Sequence, residues 1–212
     1  LFGGKSYHQE RYELKSVSDE LAAFSKGQEY DCVIAETVYM MPFALAFGDA
    51  AKVILRAHNI EHLIWRRYAS RKGFFKAKYF KLQSERLMKY ELEMMGKADA
   101  ILPLSHHDDN LIRDGLLIKT ESQVAPIGMD VMGPLTKDED GLPLIIGFIG
   151  SLDWRPNAEG IKWFIEEVWP LVFKSDRAVR FMIAGRPGGD AELFKSVDGV
   201  AVVGEVEDSD QF

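Results

Sequence analysis

The sequence predicts an α/β protein, and three observations lead to this prediction. Short apolar runs bounded by turn residues recur along the chain, which is typical of strands buried on both faces of a parallel sheet. Stretches with helical periodicity separate these runs, so strands and helices alternate as they do in βαβ units. The chain has 212 residues, of which 47% are hydrophobic, and this is enough apolar material for one large packed domain or two small ones.

The predicted strands follow one another at short intervals, at residues 32–35, 52–57, 98–104, 122–126, 144–149, 179–184 and 200–203. The predicted helices lie between them, at residues 12–25, 74–95, 106–114 and 159–173. Ser105 and Asp108 form an S-x-x-D capping box at the start of one helix, and Gly115 is placed to end it. Asn157 is the predicted N-cap of the last helix, which Pro170 should kink or end.

Charge and cysteine content exclude several classes of protein. The net charge is −7, from 26 basic and 33 acidic residues, so the chain as a whole has no electrostatic reason to bind nucleic acid. Its single cysteine, Cys32, lies in an apolar run, and we expect it to be buried and reduced. No apolar run approaches the ~18 residues of a spanning helix, and no signal-peptide pattern opens the chain. These features predict a cytoplasmic protein.

A polar and charged segment flanked by prolines, GPLTKDEDGLP, spans residues 133–143. The strand pattern resumes directly after it, so we interpret residues 134–143 as a linker. The linker separates a first domain, residues 1–133, from a second domain, residues 144–212.

Two glycine-bearing turns predict a phosphate site in the second domain. The strand 144–149 ends at a glycine and leads into a helix, which should leave backbone N–H groups and a helix dipole free to hold an anion. A second glycine-rich loop follows the strand 179–184 and should offer further backbone donors. For both turns the alternative is a purely structural loop. The candidate residues are Gly150, Ser151, Asp153, Arg155, Asn157, Gly185 and Arg186.

His58 is the candidate active-site residue of the first domain. It closes the strand 52–57, and the carboxyl ends of strands in open α/β sheets border the ligand crevice, where an imidazole can meet a phosphate or a sugar hydroxyl. The alternative is a histidine that only bonds its own turn. His58 also opens an H-x-x-E-H sequence that ends at His62, but a zinc site of that type needs both histidines on one helix. Because His58 follows a strand, we expect no zinc there.

A second histidine-rich segment, residues 106–109, resembles a metal cluster in composition only. Adjacent residues on a helix point in different directions, so we interpret this segment as the capped, solvated first turn of a helix. We therefore expect no metal site in the chain.

Residues 63–81, LIWRRYASRKGFFKAKYFK, contain seven basic residues and no acidic one, interleaved with aromatic residues. Such a segment can contact an anionic membrane surface or a lipid-linked acceptor, which would make the protein peripheral at the inner face of the membrane. It can also bind RNA phosphates, or form a solvated helix whose aromatic residues belong to the core. The membrane contact and the structural helix both stay open at this point, and we expect no nucleic acid.

An ordered set of motifs resembles glycosyltransferase family 4, the group 1 glycosyltransferases, which are retaining enzymes with two Rossmann-like domains of the GT-B fold. The motifs are YDCVIAE, VILRAHNIEH, ADAILPLS, VAPIGMD, IIGFIGSLDWRPNAEGIKWF, FMIAGRPGG and VAVVGEVED. They span nearly the whole chain in the order of the family. By this resemblance, residues 1–133 are the remainder of the acceptor-side domain and residues 144–212 are the first part of the nucleotide-sugar domain. The chain is then a fragment lacking both ends, which we expect to be inactive alone.

The resemblance implies roles for individual residues. His58 takes an active-site position, while Gly185, Arg186, Gly204 and Val206 border the nucleotide. Many members have an arginine after the first glycine and a lysine at the helix start that clamp the pyrophosphate. Ser151 and Asn157 occupy those positions here, so Arg155 or Arg186 would have to replace the clamp.

The implied function is hexosyl transfer from a nucleotide diphosphate sugar to a carbohydrate or lipid-linked acceptor, in polysaccharide biosynthesis. The resemblance implies no cofactor and no essential metal. Two alternatives stay open, a non-catalytic nucleotide-binding module and a GT-B sugar-nucleotide epimerase.

Overall fold

The computed structural model describes residues 4–70, 73–128, 144–189 and 191–208. The chain divides into two compact units, Leu1–Val131 and Met132–Phe212. Each unit has its own all-parallel sheet with helices packed against it, which confirms the predicted α/β class with Rossmann-like sheets. The predicted linker, residues 134–143, lies outside the described residues.

The first unit contains a four-stranded parallel sheet in the order β1-β2-β3-β4. Its strands are β1 (Cys32–Glu36), β2 (Lys52–Ala57), β3 (Ala100–Pro103) and β4 (Glu121–Ser122). Its helices are α1 (Tyr7–Tyr12), α2 (Lys15–Phe24), α3 (Met41–Ala44), α4 (Glu61–Ser70), α5 (Phe74–Lys97) and α6 (His106–Asn110). Sequential parallel strands require a crossover after each strand, and helices or helical turns supply them.

The core of the first unit lies on one face of β2. Val53, Leu55 and Ala57 alternate with more exposed residues, as the period of a strand requires. They share a buried apolar cluster with Leu87 and Met95 of α5. Because α5 covers this face, the long helix is held against the centre of the sheet.

Helices α4 and α5 are joined by a buried carboxylate. Glu91 of α5 is 0% exposed and accepts the backbone N–H groups of Glu61 and His62, at 2.8 and 2.9 Å, at the start of α4. Its Oε2 also lies 2.6 Å from Nδ1 of His62. A side chain from another helix thus satisfies donors that an N-cap residue usually satisfies.

The second unit contains a three-stranded parallel sheet in the order β5-β6-β7. The strands are β5 (Ile145–Ile149), β6 (Arg180–Ala184) and β7 (Val200–Gly204), and the helices are α7 (Arg155–Trp163), α8 (Trp169–Ser175) and α9 (Ala191–Lys195). Trp169 is buried in the core with Phe181 and Ile183, and its indole N–H donates to the carbonyl of Asp198 at 2.9 Å. The core and this bond fasten α8 to the sheet.

Several element boundaries differ from the sequence prediction. Residues 12–25 were predicted as one helix. Helix α2, Lys15–Phe24, occupies most of that range, and a separate helix, α1, ends at Tyr12. The N-cap prediction for Asn157 is wrong, because α7 starts at Arg155 with Trp154 in the cap position and a proline in the first turn. A π turn, Phe164–Val168, separates α7 from α8, where Pro170 follows. A proline lacks the N–H of a continuous α-helix, and the π turn accommodates this break.

Cys32 also contradicts its prediction. It is free and exposed rather than buried, because β1 lies at one end of the sheet and its first residue has only one neighbouring strand. Among the described residues, no helix is long and apolar enough to cross a membrane.

Candidate functional site

The carboxyl edge of the first sheet brings a histidine and a carboxylate together. Glu36 is the last residue of β1 and His58 directly follows β2. Nε2 of His58 lies 2.6 Å from Oε2 of Glu36, and Nη1 of Arg56 donates to the other carboxylate oxygen at 3.2 Å. Three side chains from two neighbouring strands therefore meet where open α/β sheets bind ligands.

The hydrogen bond from His58 is the largest cause that lowers the pKa of Glu36, and the bond from Arg56 lowers it further. Glu36 therefore stays ionised at neutral pH and occupies Nε2 of His58. The ring nitrogen left to meet a ligand is Nδ1, which is an acceptor when the neutral ring carries its proton on Nε2.

A strained residue lies beside this pair. Thr37 follows β1 with φ 90° and ψ 155°, a conformation that a β-branched residue rarely adopts. Its N–H donates to the carbonyl of Arg56 at 3.1 Å. Such strain costs about 1–3 kcal/mol and is often found where a site demands a special backbone. The sequence contains no sign of this feature.

The two histidines of the H-x-x-E-H sequence do not converge. His58 pairs with Glu36 at the edge of the sheet, whereas His62 is buried and pairs with Glu91. Glu61 accepts the hydroxyl of Tyr39 at 3.3 Å. Within the described ranges, no three metal-ligating side chains are grouped closely enough to hold an ion.

The segment 106–109 forms a capped helical turn, as predicted. The amide of Asp108 donates to Oγ of Ser105 at 3.1 Å. Asp109, however, is buried rather than solvated, and it accepts the hydroxyl of Ser122 at 2.5 Å and pairs with Arg113 at 2.8 Å. This carboxylate joins α6 to β4 and has a structural role.

At the carboxyl edge of the second sheet, three strands end in adjoining turns. The amide of Gly150 donates to the carbonyl of Ala184 at 2.9 Å, and the amide of Gly185 donates to the carbonyl of Gly204 at 2.7 Å. The amide of Leu152, in the turn after β5, donates to the carbonyl of Arg186, in the turn after β6, at 2.8 Å. The parallel hydrogen-bond ladder therefore continues past the ends of the strands.

This close approach explains two of the glycines. Gly185 has φ 129°, and a Cβ there would lie 2.2 Å from the carbonyl oxygen of Gly150. A Cβ on Gly188 would lie 2.2 Å from the carbonyl oxygen of Leu152. Both glycines are thus required by contact between the two turns, whatever they bind.

The expectation of free amides after residue 149 is wrong for Gly150 and Leu152, since the ladder uses both. Asn157 also turns inward, because its side-chain amide donates to the carbonyl of Ser151 at 2.9 Å. The amide of Ser151 has no backbone acceptor within the described residues. It is one donor of this turn that a phosphate could still meet.

Arg186 is the cation at this edge. Its Nη1 lies 3.4 Å from Oδ2 of Asp153 and its Nε lies 3.3 Å from Oε1 of Glu205. The side chain is exposed, so it can exchange these partners for a ligand. A hydrogen bond from Ser151 is the largest cause that lowers the pKa of Asp153, and Arg186 contributes to the same shift.

The remaining candidates lie near this cation or belong to other contacts. Arg155 pairs with Glu159 on its own helix, at 2.7 Å. Gly204 ends β7 with φ 88°, which favours glycine, and Val206 follows in a half-buried position. Of the two arginines proposed to replace the family clamp, Arg186 bridges two turns of the edge through Asp153 and Glu205.

Residues 143–212 match the family model described as "Glycosyl transferases group 1". This match confirms the resemblance for the last third of the chain. The chain is also similar to an "Uncharacterized 44.6 kDa protein in cps region" of Klebsiella pneumoniae, with 25% identity over 198 residues. The aligned part covers 90% of this chain and 49% of the relative, so the chain spans about half the length of the curated relative it matches.

Proposed function

We propose that this chain is part of a retaining glycosyltransferase of the hexosyltransferase type, which uses a nucleotide diphosphate sugar and a carbohydrate or lipid-linked acceptor. One observation carries the proposal. The region that matches the group 1 glycosyl transferase model presents Arg186 at the carboxyl edge of its parallel sheet, between Asp153 and Glu205. A guanidinium at this edge suits an anionic diphosphate.

The donor diphosphate would replace a carboxylate as the partner of Arg186. Asp153 and Glu205 are exposed, so releasing either one to water is inexpensive. The amide of Ser151, which has no backbone acceptor within the described residues, would add a neutral donor from the same turn as Asp153. As the bond to the sugar breaks, negative charge grows on the departing diphosphate, and a fixed cation with an N–H donor stabilises that charge.

In the first unit, His58 would orient a reacting sugar hydroxyl. Glu36 holds Nε2 at 2.6 Å, which leaves Nδ1 to accept a hydroxyl proton or a hydrogen bond. Glu36 is a positioning residue in this proposal, since it acts through the imidazole. The sequence prediction contained His58 without this partner.

The proposal needs no redox cofactor, because glycosyl transfer changes no oxidation state. It also assigns the diphosphate charge to Arg186 in place of an essential metal. We place the reaction in the cytoplasm, in the assembly of a polysaccharide, where nucleotide sugars are the donors.

The test is a calorimetric titration of the 212-residue chain with uridine, guanosine and adenosine diphosphates and their sugar derivatives. We expect one nucleotide class to bind saturably and Arg186→Gln to weaken it about ten-fold or more, the loss of one charged hydrogen-bonding partner. Arg180→Gln is the matched control, because Arg180 lies at the opposite, amino end of β6. Unchanged binding by Arg186→Gln would refute the assigned site.

Product analysis by NMR spectroscopy separates the alternatives, because it distinguishes epimers and anomers, which have equal masses. A protein as long as the curated relative should form a glycosylated acceptor with retained configuration. Conversion of the donor sugar without acceptor would instead identify an epimerase, and binding without any conversion would identify a non-catalytic module. We expect the present chain to bind the donor and not to transfer the sugar.

A further inference from the structure

Within the basic, aromatic segment 63–81, residues 63–70 belong to α4 and residues 74–81 belong to α5, and these two helices pack together as a hairpin. Three of its aromatic side chains hold the two helices against each other. The ring centroids of Trp65 and Phe80 are 5.5 Å apart, and those of Tyr68 and Phe80 are 4.8 Å apart. These three aromatics are structural, which agrees with one of the interpretations of the sequence.

Two other aromatic side chains have no such role. Phe74 and Phe75 open α5 at the tip of the hairpin, and they are 78% and 86% exposed. Their rings contact each other edge to face at 5.6 Å. Two adjacent phenylalanines left in water at the end of a hairpin mark a surface that contacts something apolar.

The hairpin also carries exposed cations. Five described basic side chains are exposed, and none of them forms an ion pair with a described carboxylate. They are Arg66, Arg67, Lys76, Lys78 and Lys81. Because the net charge of the chain is −7, these unpaired cations form a local positive surface on an acidic protein.

A groove of about 650 Å³ lies between α4 and α5 beside the tip. Its lining combines the cations Arg66, Lys78 and Lys81 and one carboxylate, Glu85, with apolar groups from Phe74 and Met88, so cations outnumber the carboxylate. This mixture suits a phosphate held next to hydrocarbon, which is the chemistry of a phospholipid at the headgroup boundary.

We infer that the hairpin tip docks on an anionic lipid bilayer, with Phe74 and Phe75 entering the headgroup boundary and the exposed cations of the hairpin contacting lipid phosphates. Charge complementarity selects this occupant. A second copy of the chain is disfavoured, because a symmetric interface would bring the same unpaired cations against each other. RNA is disfavoured, because the two phenylalanines contact edge to face and form no parallel platform for stacked bases. The inference does not depend on sugar transfer, since vesicle binding needs no donor.

The test is co-sedimentation of the 212-residue chain with vesicles of phosphatidylcholine alone or with about one-third phosphatidylglycerol. We expect binding only to the anionic vesicles. Lys76→Glu with Lys78→Glu should weaken binding by at least about 25-fold, at about five-fold for each cation lost. Phe74→Ser with Phe75→Ser should abolish it, and neither pair should alter folding, because all four side chains are exposed.

Two control variants match these changes elsewhere on the surface. The double variant Lys26→Glu with Lys119→Glu has the same net charge as the double lysine variant of the hairpin. The double variant Phe24→Ser with Leu193→Ser removes two exposed apolar side chains outside the hairpin. Both controls should bind anionic vesicles like the original chain. Circular dichroism checks the fold of each variant.

Three results would overturn the inference. The first is no binding to anionic vesicles, and the second is equal loss in the hairpin variants and their controls. The third is binding of a single-stranded oligoribonucleotide, but not of vesicles, that depends on Lys76 and Lys78.

Discussion

Nε2 of His58 lies 2.6 Å from Oε2 of Glu36, and this contact joins the carboxyl ends of two neighbouring parallel strands. Glu36 is the partner of Arg56 in the register of β1 and β2. The imidazole of His58, two residues after Arg56, contacts Glu36 across the two strands. The orientation of the histidine is therefore set by sheet register, and it is tested by changing either partner.

The first prediction concerns the pKa of Glu36. Because the bond from His58 is the largest cause of its lowered pKa, His58→Ala should return the pKa of Glu36 towards its ordinary range. Arg56→Gln removes the smaller side-chain bond and should raise that pKa less. Carbon-detected NMR titration of the carboxyl groups measures both. An unchanged pKa of Glu36 in His58→Ala would contradict the pairing of these two residues.

The same pair gives a pH dependence with a defined sign. A carboxyl whose pKa is lower in the folded state stabilises the fold above its unfolded pKa, and this contribution is lost as pH falls through the folded pKa. Glu36 is exposed, so the effect is small. Urea unfolding of Glu36→Gln should therefore match the original chain in strong acid and fall slightly below it at neutral pH.

Glu61 should behave in the opposite way. Burial is the largest cause that raises its pKa, and Glu91 raises it further. The folded state then binds the proton more tightly, so stability falls as pH rises from the unfolded pKa through the raised folded pKa. Glu61→Gln should increase the free energy of unfolding at pH 7, and the gain should vanish below about pH 4. A loss of stability at pH 7 would show that the ionised form is required by the fold.

Among the charged residues described in the first unit, Glu91 is the one whose substitution should lower the free energy of unfolding most. Glu91→Ala leaves two helix-start amides and His62 without their acceptor, which should cost about 3–5 kcal/mol. Glu93→Ala on the same helix removes only an exposed pair with Lys97, and it should cost at most about 0.5 kcal/mol apart from the change in helix propensity. Denaturant unfolding of both variants provides the comparison. Similar losses would contradict the capping role.

Six of the seven described strands could be predicted from sequence because each is an apolar run with clear ends, and the position of His58 followed from the end of β2. The exception is β4, the two polar residues Glu121–Ser122, where a longer strand at residues 122–126 was predicted. Its partner Glu36 could not be predicted, because the pairing depends on register between segments about twenty residues apart in the chain. Thr37 gave no signal, since its residue type does not favour a positive φ.

The phosphate turn was only partly predictable for a related reason. A glycine after a strand suggests free amides, but the ladder between β5 and β6 continues through Gly150 and Leu152. Local sequence also misplaced the start of α7, because Asn157 is a good cap in isolation while Pro156 favours a place inside the first turn. The first error concerns contacts that exist only after the strands have paired, whereas the second concerns the local preference of a proline for the first turn of a helix.

The last prediction tests that ladder through its glycines. Gly188→Ala would place a Cβ 2.2 Å from the backbone oxygen of Leu152. Backbone on both sides has little room to shift, so we expect a loss of about 2 kcal/mol or more in the stability of the second unit. Gly160→Ala is the control, because Gly160 lies inside α7 with nothing within 4 Å of a Cβ, and it should stabilise that helix by up to about 1 kcal/mol. If Gly188→Ala were as stable as Gly160→Ala, the two turns would not be in contact, and Arg186 would lose the backbone bond that holds it between Asp153 and Glu205.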